Sequence, residues 1–152
     1  MKSTNVRRHR STVFAIAALG LSLFASARTR ADAVGGQTWG EVSIPTPSGS
    51  FVIPAGLLDH SILGQGNNIS YQQAEFLSVG PISNWRIDWI NLDLNGQEVN
   101  RSPGQIQQVS GRYGQRISDF RPGSVPVAMG WACAALIVMD QEIVRQCHAI
   151  TP

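Results

Sequence analysis

A chain of 152 residues with twelve basic and ten acidic side chains looks mildly basic, but its first 33 residues set that balance. Six of the basic residues (Lys2, Arg7, Arg8, Arg10, Arg28 and Arg30) and one acid, Asp32, precede Val34, so the other 119 residues carry six arginines against nine acids, net −3, with no lysine. Such a composition lacks the electrostatic footprint of a nucleic-acid binder or of a protein held on anionic lipid, and it denies a Schiff-base mechanism its amine.

Residues 1–33 read as a signal peptide. Lys2, Arg7, Arg8 and Arg10 form a basic n-region, and residues 13–25 are an apolar run too short to span a bilayer. Two small-residue cleavage sites follow, Ala25-Ser26-Ala27 and Ala31-Asp32-Ala33, and the second, which makes Val34 the mature N-terminus, is favoured. Arg7-Arg8 is followed by His9, Arg10 and Ser11, not by the apolar pair of a twin-arginine signal. Residues 34–152 are then one exported domain, extracellular or at the cell envelope, with a single modest core and no membrane span after cleavage. A monomer is expected.

Past Val34, short apolar runs alternate with turn residues. Residues 39–44 read as a strand ended by Pro45 and Pro47, and residues 51–53 as another stopped by Pro54 and Gly56. Residues 57–63 fit either a strand, with Leu58, His60 and Ile62 alternating, or a helical turn. Residues 64–68 are a turn, and residues 69–79 a strand with Tyr71, Phe76, Leu77 and Val79 facing inward, broken by Gly80-Pro81.

Residues 85–94 are more informative. Apolar side chains occupy odd positions up to Trp89 and even positions from Ile90, which a regular pleat cannot put on one face, so a β-bulge near Trp89 and Ile90 is expected. Asn95-Gly96 predicts a type I′ hairpin turn. Ser102-Pro103-Gly104 and residues 121–124 are further turns between short strands at 106–109, 115–120 and 125–129.

Residues 131–150 close the chain and hold both cysteines, Cys133 and Cys147. Apolar spacing allows one long helix, but that would hold the two Cα atoms roughly 21 Å apart, where a disulfide needs about 4.4–6.8 Å. A hairpin turning through Asp140 and Gln141 instead sets Cys133 opposite Cys147, and an exported protein is expected to bond them. The resulting fold class is all-β, an antiparallel sandwich of immunoglobulin-like type with a disulfide-braced C-terminal hairpin; an α+β fold with a C-terminal helix is the alternative. The immunoglobulin inter-sheet disulfide is not present, because this pair is too close in sequence.

No G-x-S-x-G, H-E-x-x-H or phosphate-binding glycine loop occurs, and neither catalytic residues nor a cofactor nor a metal is expected. Weaker sets are Asp59-His60 with Glu75 or Asp88 as a hydrolytic pair, Asp93 with Asp88 or Glu98 as glycosidase carboxylates, and Cys133, Cys147 and His148 as metal ligands. Each has a structural reading that suits it better. Trp85 and Trp89 share one face of their strand, with Arg86 and Asp88 on the other, so an exposed face would give an aromatic platform for sugars or apolar ligands. A non-catalytic binding protein with an unknown extracellular ligand or protein partner is the leading expectation, ahead of a carbohydrate-binding module or a small hydrolase.

Overall fold

The computed structural model describes residues 32–109 and 115–151, and these are all-β, without a helix. All but Asp32 and Ala33 of the expected leader lies outside the described residues. In chain order the strands are β1 (Ala33–Trp39), β2 (Val42–Thr46), β3 (Gly49–Ile53), β4 (Gly56–Gln65), β5 (Asn68–Ser78) and β6 (Ser83–Leu92). They continue with β7 (Glu98–Pro103), β8 (Gln107–Val109), β9 (Gln115–Pro126), β10 (Gly130–Val138) and β11 (Gln141–Ile150). One sheet has the order β1-β4-β5-β9, and the other β11-β10-β6-β7 with β8 beside the first residues of β6. All pairings are antiparallel, and β2-β3 is a separate ribbon.

The two sheets share one apolar core. Leu58, Ala74 and Phe76 from the first meet Trp85, Ile87, Trp89, Ala134, Leu136 and Val138 from the second, and Ile44 and Ile53 of the ribbon join them. Phe76 meets Trp85 edge to face at 4.7 Å between centroids, which joins the sheets through the two largest of the fully buried side chains. In β5 the buried residues are Ile69, Gln72, Ala74, Phe76 and Ser78, so the expected inward Leu77 and Val79 are corrected: both are exposed. The run at 39–44 is also divided, because Gly40 and Glu41 separate β1 from the ribbon.

The expected bulge in β6 is not there. Register with β10 runs unbroken from Trp85↔Val138 to Leu92↔Trp131. Apolar residues change parity because both faces of this strand are covered: Trp85, Ile87 and Trp89 face the shared core, while Ile90 and Leu92 join Cys133, Ala135 and Ile137 on the outer face. A strand buried on both sides need not alternate.

Three turns differ from expectation in informative ways. At Asn95-Gly96 only Gly96 takes positive φ, 78°, so the loop is a type I turn followed by a left-handed glycine, not type I′. Asp93 decides this, since its Oδ1 accepts the N–H groups of Asn95 and Gln97, each at 2.8 Å. In the closing hairpin, Met139 and Asp140 both take left-handed φ (49° and 60°) and Gln141 already belongs to β11. A register shift between Leu136 and Ile137 restores the expected facing of Cys133 and Cys147. Residues 121–124, expected as a turn, are extra residues within β9 where its pairing with β5 shifts.

Cys133 and Cys147 are disulfide-bonded, with Cα atoms 4.0 Å apart, and Cys133 is fully buried. Among the described residues no helix is long and apolar enough to cross a membrane. Both thiols should resist alkylation in the native protein until a reductant is added, and replacing both cysteines by alanine should lower unfolding stability by about 3 kcal/mol, read as a shift in urea midpoint.

Candidate functional site

The aromatic platform fails on burial. Trp85 and Trp89 are 1 % and 6 % exposed, inside the shared core, so neither offers a face to a ligand. Their strand neighbours point the other way, as the pleat requires. Of the four tryptophans only Trp131 is substantially exposed, at 41 %, and it pairs with Leu92 on the outer face of the second sheet.

That outer face carries an ordered charge network. Asp88 lies opposite Ala135, whose small side chain leaves room for it, and is 1 % exposed. Arg86 Nε donates to its Oδ1 at 2.9 Å and Arg101 Nη1 to its Oδ2 at 3.0 Å. Arg101 also grips Glu98 through Nε and Nη2, at 3.0 and 2.8 Å, and Arg145 grips Glu142 in the same two-pronged way. Arg101 holds the Glu98 carboxyl below its usual range, and Glu98 followed by Asp88 raises the Arg101 guanidinium further. On this face Ile90, Cys133, Ala135 and Ile137 form a buried apolar cluster, while the side chains of Arg86, Arg101 and Arg145 stay partly exposed.

Arg86 turns the network toward the end of the sheet. Its Nη1 donates to Asp140 Oδ1 at 2.6 Å, across the closing hairpin. Asp140 first and Asp88 second raise the Arg86 guanidinium above its ordinary value. Beside it lies a recess of about 390 Å³ lined by Asn84, Arg86, Ile106, Gln108, Met139 and Asp140. Among the described residues the only non-glycine positions with positive φ are Asn84 (52°), Met139 and Asp140, and all three line this recess. Met139 N donates to Asn84 O at 3.1 Å, which clamps the hairpin turn to the start of β6.

A second polar cluster lies between the sheets. His60 is fully buried, its ring 5.0 Å from that of His148 and 5.8 Å from Trp89. His148 Nε2 bonds His60 O at 2.8 Å, and because a carbonyl only accepts, that nitrogen carries a proton. Neither nitrogen of His60 has a hydrogen-bond partner. Burial, and then the nearby His148, lower His60 to about 4; Gln72 and the Gln146 backbone oppose this without bonding either nitrogen in sound geometry. Gly35 admits the cluster: a Cβ there would stand 3.1 Å from His148 Cε1 and 2.8 Å from Gln146 Nε2.

The other sequence candidates are only partly brought together. Asp59 lies opposite Glu75, and both line a surface depression with Val34, His60, Ser61 and Gln73, but His60 is fully buried and its ring packs between the sheets against His148 and Trp89. Asp93 is engaged in its own turn and Glu98 by Arg101. Cys133 and Cys147 are bonded to each other, while His148 faces the opposite side, toward His60. Arg86 is the one sequence-predicted ligand residue that reaches the recess; Asp88 positions it from below. Asn84, Ile106, Gln108, Met139 and Asp140 were not anticipated. They come from three separate stretches, and only the strand pairing brings them together.

No protein-family model, curated protein or solved structure matches the chain.

The buried groups make two checkable statements. Asp88→Ala leaves Arg86 and Arg101 without their shared acceptor and should cost roughly 2–3 kcal/mol, typical of hydrogen bonds to charged groups, again as a urea midpoint. His60 titrates from 6.5 unfolded to about 4 folded, so the unfolded chain binds a proton first as pH falls. Stability should therefore decline from about pH 6.5 toward pH 4, by about 3 kcal/mol in full. His60→Leu should flatten the His60 part of that slope between about pH 6.5 and 4.5; an unchanged slope would refute the assignment.

Proposed function

We propose that the chain is an exported, non-catalytic binding domain, an immunoglobulin-like sandwich whose ligand enters the recess beside Arg86. The observation that carries this reading is the convergence there of Asn84, Met139 and Asp140, all with left-handed backbone, on a single arginine. Asn84 and Asp140 are residue types that enter this region readily, but a left-handed Met139 costs on the order of 1 kcal/mol or more and persists where the surrounding structure enforces it, often at ligand sites.

Strand order supports the sandwich. The sequence β11-β10-β6-β7 is that of strands G, F, C and C′ in a variable-type domain, and β5 beside β9 corresponds to B beside E. In that correspondence the recess is built from the F–G turn, the first residues of C and the segment after C′. These belong to the end where variable domains carry their binding loops, an analogy of architecture alone. A disulfide is compatible with an oxidising destination, which agrees with the leader-like N-terminus.

A second reading takes Trp131 as a stacking surface for sugars. Exposed beside Leu92 and two strands from Glu98, it has the amphipathic character such a surface needs. One experiment separates the two: a fragment library including simple saccharides, titrated into ¹⁵N-labelled protein. Shifts at Asn84, Gln108, Met139 and Asp140 are expected. Shifts confined to the Trp131 indole on adding saccharides would move the site to the outer face, and no localised shift with any fragment would overturn both readings.

A further inference from the structure

The recess contains an indication of what it binds. Asp140 accepts from Arg86 Nη1 at 2.6 Å, yet its side chain is 85 % exposed and stands on a two-residue turn. Asp88 holds the same guanidinium from within, through Nε. A guanidinium has five N–H donors in a planar fork, and these two contacts leave the outward part of the fork directed by a buried anchor. Ile106 and Met139, both exposed apolar side chains, stand in the same lining, and Asn84 and Gln108 add neutral amides.

We propose that the outward fork of Arg86 is a carboxylate-binding site, occupied by Asp140 as an internal stand-in, and that the ligand is a small carboxylate bearing an apolar chain. This rests on the recess being the binding site. Electrostatics favour exchange over addition. Arg86 already contacts two carboxylates, so a third anion in direct contact would meet both, whereas a ligand carboxylate that takes the Nη1 contact leaves Asp140 turned to water, where solvent screens its charge. Displacement is cheap, since an exposed ion pair is worth under about 1 kcal/mol and Asp140 can turn to water without disturbing β10 or β11. The apolar chain then covers Ile106 and Met139, and this supplies the net gain that Asp140, with no such chain, cannot match. About 390 Å³ accommodates a carboxylate with a chain of several carbons.

Two sources share this chemistry, a free aliphatic acid and the C-terminus of an apolar peptide. The test titrates ¹⁵N-labelled protein with hexanoate against hexanamide, and with acetyl-glycyl-leucine against its C-terminal amide. The acids should shift Asn84, Gln108 and Met139, and the amides should not. Tighter binding of the peptide than of hexanoate assigns a peptide terminus, and the reverse assigns a free acid. Asp140→Asn should tighten acid binding up to about fivefold, the most that loss of a weak ion-pair competitor allows, and Arg86→Gln should abolish it. If Arg86→Gln is too unstable to fold, Asp140→Asn still decides. Unchanged or weaker acid affinity in that variant, or amides binding as well as acids, overturns the carboxylate assignment but leaves the recess as a binding site. Absence of recess shifts with every probe and fragment removes both.

Discussion

The pairing of β6 with β10 is the constraint on which the rest of the molecule depends. Eight consecutive residue pairs run without a shift from Trp131↔Leu92 to Val138↔Trp85, and both faces of this two-strand unit are covered. Toward the first sheet it presents Trp85, Ile87, Trp89, Ala134, Leu136 and Val138; away from it, Ile90, Cys133, Ala135 and Ile137. The alanines allow this double use. Ala134 lies opposite Trp89 and Ala135 opposite Asp88, so each small side chain accommodates a large or charged one on its own face. Polar backbone groups in so dry a pair must be satisfied by the ladder itself. A slip of one residue would exchange the two faces and bring Asp88 into the apolar core.

Much of this was legible in the sequence, and what was missed has physical reasons. The hairpin and the facing of its two cysteines follow from position arithmetic and from the distance a sulfur bridge can span, and the expectation that they are bonded follows from the leader. Local turn chemistry was less reliable. Asn95-Gly96 does turn, but the carboxylate of Asp93 accepts two backbone N–H groups and selects a different turn from the one the dipeptide favours. Parity in residues 85–94 suggests a fault in one face, because a single strand carries no sign that its second face is also covered. Trp85 and Trp89 were correctly placed on one face, but periodicity cannot say whether that face meets water. Leu77 and Val79 illustrate the converse, apolar residues left outside because from Gln72 to Ser78 the even positions of β5 face the core.

The recess was not legible at all. Its six lining residues come from the start of β6, the segment around β8 and the closing turn, and no spacing rule relates position 84 to 106 or 140. Only one signal could have pointed there: a two-residue hairpin loop needs left-handed conformations, and Met139-Asp140 lacks the glycine or asparagine that usually supplies them. A sequence that forgoes the favoured turn residues retains their cost for some other reason, or has a neighbour that offsets it. Here the hydrogen bond from Met139 N to Asn84 O is such a neighbour, and it ties the left-handed Met139 to the left-handed Asn84.

The two buried polar centres show opposite solutions to the same cost. His60 sits in the shared core with no partner on either ring nitrogen, and its surroundings favour the neutral form by making the charged one expensive. Asp88 is as deeply buried, but two guanidiniums reach it, and each keeps part of its surface in water. The first solution isolates a group, and the second connects one. Arg86 belongs to both the buried carboxylate and the exposed one at Asp140, so any change at the outward end of its fork is felt by a group fixed within the sheet. A ligand that competes with Asp140 therefore meets an arginine whose position has been settled in advance, and little ordering of that side chain remains to be done on binding.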